Sequence, residues 1–147
     1  MFGTRRNAAQ AYSNVGLETG VIAASPHQLI TMLFDGALVA IIKAKNHMEN
    51  REIVEKGNAI SKAITIIDSG LRGGLNFEVG GEIAQTLNSL YAYMSQQLMQ
   101  ANLKNDPALL DEVYTLLTDI KSAWVSIGTQ GQQATSANLD TNTSIGV

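Results

Sequence analysis

The chain has 147 residues, 45% apolar and 16% charged, enough for one globular domain with a real core and too few for two comfortable ones. A net charge of −3, with the ten Lys and Arg scattered, leaves no footprint for nucleic acid or an anionic membrane, so neither is an expected partner. The absence of cysteine excludes a disulfide framework, a zinc–thiolate site and thiol redox chemistry.

The start, MFGTRRNAAQAYSN, lacks the apolar core of a signal peptide. Apolar runs broken by Thr31, Asp35 and Lys43 read as too short for a membrane span. The expected location is therefore the cytoplasm. Residues 1–24 are small, mixed and weakly periodic, and read as a segment separate from a helical body over 25–127. The first helix opens on Ser25 as N-cap, Pro26 as first helical residue and Gln28 at capping-box spacing. It should run to about Met48. A second helix carries Ile53, Gly57, Ile60, Ile64, Ile67 and Leu71 at alternating steps of four and three, a heptad seam.

RGGLNFEVGG, with its four glycines, reads as a loop. Ile83, Leu87, Leu90, Met94, Leu98 and Ala101 form the seam of a third helix. Asp106 and Pro107 then start a fourth, with Leu110, Val113, Leu117, Ile120, Trp124 and Ile127 on one face. Gly128 is its expected terminator. The polar tail 128–147 lacks the apolar surface to offset its ordering entropy and reads as disordered. Three of the helices reach or pass roughly 20 residues, about 30 Å each. Matched lengths, seams of this period and no alternating strand predict an all-α fold, an antiparallel four-helix bundle.

Bundles can hold metals or haem, but this sequence offers little for either. A di-iron site needs two Glu-x-x-His motifs; the only histidines are His27 and His47, at opposite ends of one helix, and Ala44 stands three before His47. His27 reads as a surface residue in a first turn, and His47 as a solvated one. Met32, Met48, Met94 and Met99 occupy ordinary packing positions. No nucleophile motif occurs, and the glycine-rich loop lacks the Lys-Ser/Thr of a phosphate loop. Neither an enzyme nor a cofactor is expected.

The first helix has more apolar surface than one core needs. Ile30, Leu33, Ala37, Ile41 and Ala44 form one stripe, whereas Leu29, Met32, Val39 and Ile42 need a second apolar neighbour. That neighbour is either residues 1–24, through Phe2, Tyr12, Val15, Leu17, Val21 and Ile22, or a partner helix lying in the groove. Gly36 costs about 1 kcal/mol against Ala, tolerable where another backbone comes close. Asp35 is either solvated or a groove-edge carboxylate that pairs with a basic group.

The chain resembles the FliS family of flagellar export chaperones. The likeness rests on MFGTR at the start, ASPHQLI at 24–30, MLFDGAL at 32–38, IIDSGL at 66–71, GGEIA at 80–84, LYAYM at 90–94, ANLKND at 101–106 and Trp124. It departs at Phe2, where the family usually has Tyr, and at Ala9, where a larger aliphatic is common. The resemblance implies a four-helix bundle with a mobile N-terminal segment that acts as a displaceable cover. It also implies binding of flagellin's C-terminal segment, which is disordered in the monomer, so that premature polymerisation is prevented. Export-apparatus components are further partners of such a chaperone. The expected partner-contacting residues are Phe2, Tyr12, Leu29, Met32, Asp35, Gly36, Val39, Ile42, Tyr91 and Leu98. The competing reading is a non-enzymatic bundle that self-associates through the same surface as a weak homodimer.

Overall fold

Ser25 starts the first helix by closing a capping box. Its Oγ accepts from the Gln28 N–H at 3.1 Å, while its own N–H donates to Gln28 Oε1 at 2.9 Å. Two orphan donors of the first turn are thereby satisfied, and helix α1 runs from Pro26 to Glu49. The computed structural model describes the backbone of residues 24–144 and the side chains of residues 24–128. Phe2, Tyr12 and the expected N-terminal cover lie outside the described residues.

A short turn with Arg51 at positive φ leads into α2, Ile53–Thr65, which widens into a π-helical segment, Ile66–Arg72. Helix α3 spans Phe77–Lys104 and is capped by Asn76, whose side chain accepts from the Glu78 and Val79 N–H groups. Within α3 the chain breaks at Gly81, φ 52° and ψ −124°, a conformation that only glycine adopts without strain. Of the glycine-rich stretch read as a loop, residues 73–76 do form a non-helical connection, while 77–81 form one helical turn that ends in the kink. Asn105, in the left-handed region, closes α3, and Asp106 accepts from the Ala108 N–H at 3.0 Å as α4 begins at Pro107. Among the described residues the fold is all-α.

Each helix packs on its neighbours in chain order and α4 closes the ring against α1, so α1 and α3 are diagonal. Direction follows from the cross-links. Lys45 meets Asp111 and His27 meets Trp124 between α1 and α4; Lys56 meets Asn102, and Arg72 meets Asn88, between the second and third elements. High numbers face low numbers in both pairs, which makes the bundle antiparallel.

Leu33, Ala37, Ala44, Ile66, Ile67, Met94, Leu98, Ala101, Leu110, Val113 and Leu117 are fully buried. Three seam expectations shift. In α2 the buried face is Lys56, Ile60 and Ala63, with Ile53 exposed and Ile64 half-buried. In α3 the buried residues begin at Ala84 rather than Ile83, because the Gly81 kink resets the phase. In α4 burial fades after Leu117, and Ile127 is exposed.

Two boundaries also differ from the sequence reading. Helix α4 passes Gly128 and ends at Ser144; a single glycine costs only about 1 kcal/mol in a helix, and nothing after it is proline. Helix α1 does reach the length and hydropathy of a membrane span, with 24 residues and a mean hydropathy of 1.3 over its most apolar window. Isolated polar residues such as Asp35 do not break such a window. Its apolar side chains instead meet α2, the π-helical segment and α4.

Candidate functional site

Helix α1 has eight buried residues, among them Leu29, Leu33, Phe34, Leu38 and Ile41, on more than one face. It nevertheless leaves Val39 and Ile42 about half exposed, at 48% and 46%. Beside them Met32, Asp35, Gly36, Val39 and Ala40 line a cavity of about 340 Å³, closed on its far side by Lys43 and by Lys62 of α2. Four of the expected contact residues therefore share one groove. Ile42 lies just beyond it on the same helix.

Asp35 at this groove is not a free carboxylate. Lys121 of α4 reaches it at 2.5 Å, so the pair ties the groove's edge to the α1–α4 interface. Both side chains keep solvent contact, which limits the pair to about 1 kcal/mol or less. Lys43 and Lys62 have no ion-pair partner among the described residues, and the groove's rim is accordingly positive.

The other expected contacts lie elsewhere. Leu29 and Leu98 are buried in the core at 4% and 0% exposure. Leu29 precedes Leu33 by one turn and so falls on the core face. Tyr91 is also buried, but it forms part of the floor of a second, larger groove. Burial pushes its hydroxyl well above its ordinary pKa, and that hydroxyl has no hydrogen-bond partner among the described residues.

This second groove, about 630 Å³, opens at the bundle's other end. Ile30, Phe34, Leu71, Leu75, Ile83, Leu87, Ile120, Trp124 and Ile127 surround Tyr91. The sequence reading placed Ile83, Leu87, Ile120 and Ile127 in the core seam. They continue that seam, but among the described residues no side chain fills the space between them. The signal was present as periodicity; its lack of a filling partner was not.

Trp124 and His27 hold the mouth of this groove. His27 Nε2 lies 2.7 Å from the Trp124 carbonyl, the Trp124 indole N–H donates to the His27 carbonyl at 3.1 Å, and the rings stack at 4.6 Å. His27 is therefore a half-buried tertiary contact and not the free surface residue expected. His47 lies 3.0 Å from Glu52, closing the α1–α2 turn. Among the described residues no group of three His, Asp or Glu side chains could hold a metal ion.

Comparison with known proteins accounts for this architecture. Residues 8–131 match the family model described as flagellar protein FliS. The chain is 52% identical over 118 residues to the flagellar secretion chaperone FliS of Salmonella typhimurium, covering 80% of this chain and 87% of that protein. It is 42% identical over 134 residues to the Vibrio cholerae protein of that name, covering 91% and 98%. The Bacillus subtilis protein is 35% identical over 109 residues, 73% of this chain and 78% of its own length. A match over most of the length, on a chain that folds as a four-helix bundle, places this chain in the FliS family of flagellar secretion chaperones.

Proposed function

We propose that this protein binds the disordered C-terminal segment of flagellin in the cytoplasm, prevents its premature polymerisation and presents it for export. The observation that carries the reading is the apolar strip of α1, half-buried Met32 with exposed Val39 and Ile42, beside a groove rimmed by Lys43 and Lys62. A disordered segment that becomes helical on such a surface buries the side chains through which it would otherwise self-assemble. Occupancy alone accomplishes this, with no covalent chemistry. Hand-over to export-apparatus components follows as the complex meets its receptor.

The test is calorimetric titration of the protein with the C-terminal segment of its own flagellin, with and without Val39→Asp. A one-to-one complex with a markedly negative heat-capacity change is expected, since apolar burial has that signature. Val39→Asp should weaken it by about tenfold or more by desolvating a charge against the partner, while helicity is retained because Val39 is already half exposed. Full affinity in that variant removes the α1 groove from the site. A concentration-dependent dimer that buries Val39 and binds no flagellin segment would support self-association instead.

A further inference from the structure

The larger groove, at the Trp124 end of the bundle, is walled by two apolar ridges. Ile83 and Leu87 of α3 form a ridge at four-residue spacing on one side; Ile120, Trp124 and Ile127 of α4 form another at steps of four and three. Ridges of this spacing accept the side chains of a further helix packed between them. Ile83 and Ile127 are 72% and 61% exposed, so both ridges present large apolar side chains to the groove. On the floor, Tyr91 is 3% exposed with its hydroxyl unpartnered among the described residues.

Charge distinguishes this groove from the first. Among the described residues its lining contains no basic side chain, and Asp119 is the one charged residue. Glu78 and Glu82 flank it on α3, both exposed and without an ion-pair partner among the described residues. Among the described residues the nearest basic groups are engaged: His27 with Trp124, Arg72 with Asn88 and Asp68, Lys121 with Asp35. The α1–α2 groove, by contrast, is rimmed by two free lysines.

We propose that the end groove is a second docking site, separate from the α1–α2 groove, for an amphipathic helix of a protein partner whose apolar stripe is flanked by Lys or Arg. Apolar side chains at i, i+3, i+4 and i+7 fill the space between the two ridges. The basic flank meets Asp119, and Tyr91 offers its hydroxyl to one small polar residue within the stripe. Opposite rim charges sort the two sites, because an acidic flank is repelled here and attracted at Lys43 and Lys62.

Trp124 is the chain's only tryptophan and lines this groove, so its emission reports occupancy directly. The probe is a synthetic helical peptide of about 18 residues, roughly 27 Å long, with Leu at i, i+3, i+4 and i+7 and Lys on the flanks. Its twin has Glu in place of Lys. Saturable change of Trp124 emission is expected with the Lys peptide, about tenfold weaker with the Glu peptide. Ile83→Asp should abolish it, Asp119→Lys should reverse the preference, and Val39→Asp should leave it unchanged.

Equal affinity for the two peptides, or no emission change with either, overturns the proposal. So does an emission shift on diluting the free protein, which would assign the groove to a second copy. A shift in the peptide-free Phe2→Ala/Tyr12→Ala variant would assign it to the chain's own N-terminal segment, with the same consequence.

Discussion

His27 and Trp124 exchange hydrogen bonds with each other's backbone: His27 Nε2 lies 2.7 Å from the Trp124 carbonyl, and the Trp124 indole N–H donates to the His27 carbonyl at 3.1 Å. The rings stack with 9° between their planes. The pair fastens the first turn of α1 to α4 where core packing has already thinned. Gly128 follows Trp124 by one turn, and a Cβ there would collide with the His27 ring.

Gly128→Ala is therefore expected to destabilise the protein by about 1–2 kcal/mol, since the clash outweighs a gain of up to about 1 kcal/mol in helix propensity. Trp124→Phe should cost about 1–3 kcal/mol through the lost indole hydrogen bond and reduced packing. Urea denaturation of both variants checks this. Unchanged midpoints would show that the His27 ring swings aside freely and that the contact fastens nothing.

Two seam positions that look equivalent in sequence should behave differently. Leu117→Ala removes a side chain with no exposure and should cost about 2–5 kcal/mol. Ile83→Ala, at an exposed position, should stay within about 0.5 kcal/mol. Thermal melts of the two variants decide the matter, and equal losses would mean that the end groove is filled in solution.

Lys56 is the buried cation of the core, 4% exposed. Its ammonium donates to the Asn102 carbonyl at 3.0 Å and to the Asn105 side chain, at the end of α3. A cation there also meets the negative end of the helix dipole. Lys56→Ala is expected to cost about 1–3 kcal/mol, and Lys56→Met less, because it keeps the aliphatic stem. Equal losses on chemical denaturation would assign the whole effect to the ammonium.

Tyr91 makes stability fall at alkaline pH. Its hydroxyl is neutral in the folded protein to well above the unfolded value near 10, because burial opposes ionisation. The unfolded state alone releases the proton once pH passes about 10, so stability is complete below that pH and declines as pH rises through the folded value. Stability measured by urea denaturation across alkaline pH should decline more shallowly for Tyr91→Phe than for the native protein. Parallel curves would mean that solvent reaches the hydroxyl.

The local elements of this protein are legible in its sequence because their causes are local. Ser25, Pro26 and Gln28 specify how α1 begins, Asp106 and Pro107 specify how α4 begins, and the seam from Leu110 to Leu117 specifies the face that is buried. The surplus apolar surface of α1 was equally visible, and Met32, Asp35, Gly36 and Val39 do line one groove. Tertiary structure alone decided the rest. Periodicity says that Ile83, Ile120 and Ile127 share a face with their helix's core residues, but not whether a neighbour reaches them. That depends on the Gly81 kink, the π-helical widening at Ile66–Arg72 and the way α3 packs on α4, which involve contacts distant in sequence. The partners of Asp35 and His27 were undecidable for the same reason: Lys121 and Trp124 lie more than 80 residues away, and only the antiparallel closure of α4 on α1 brings them within reach.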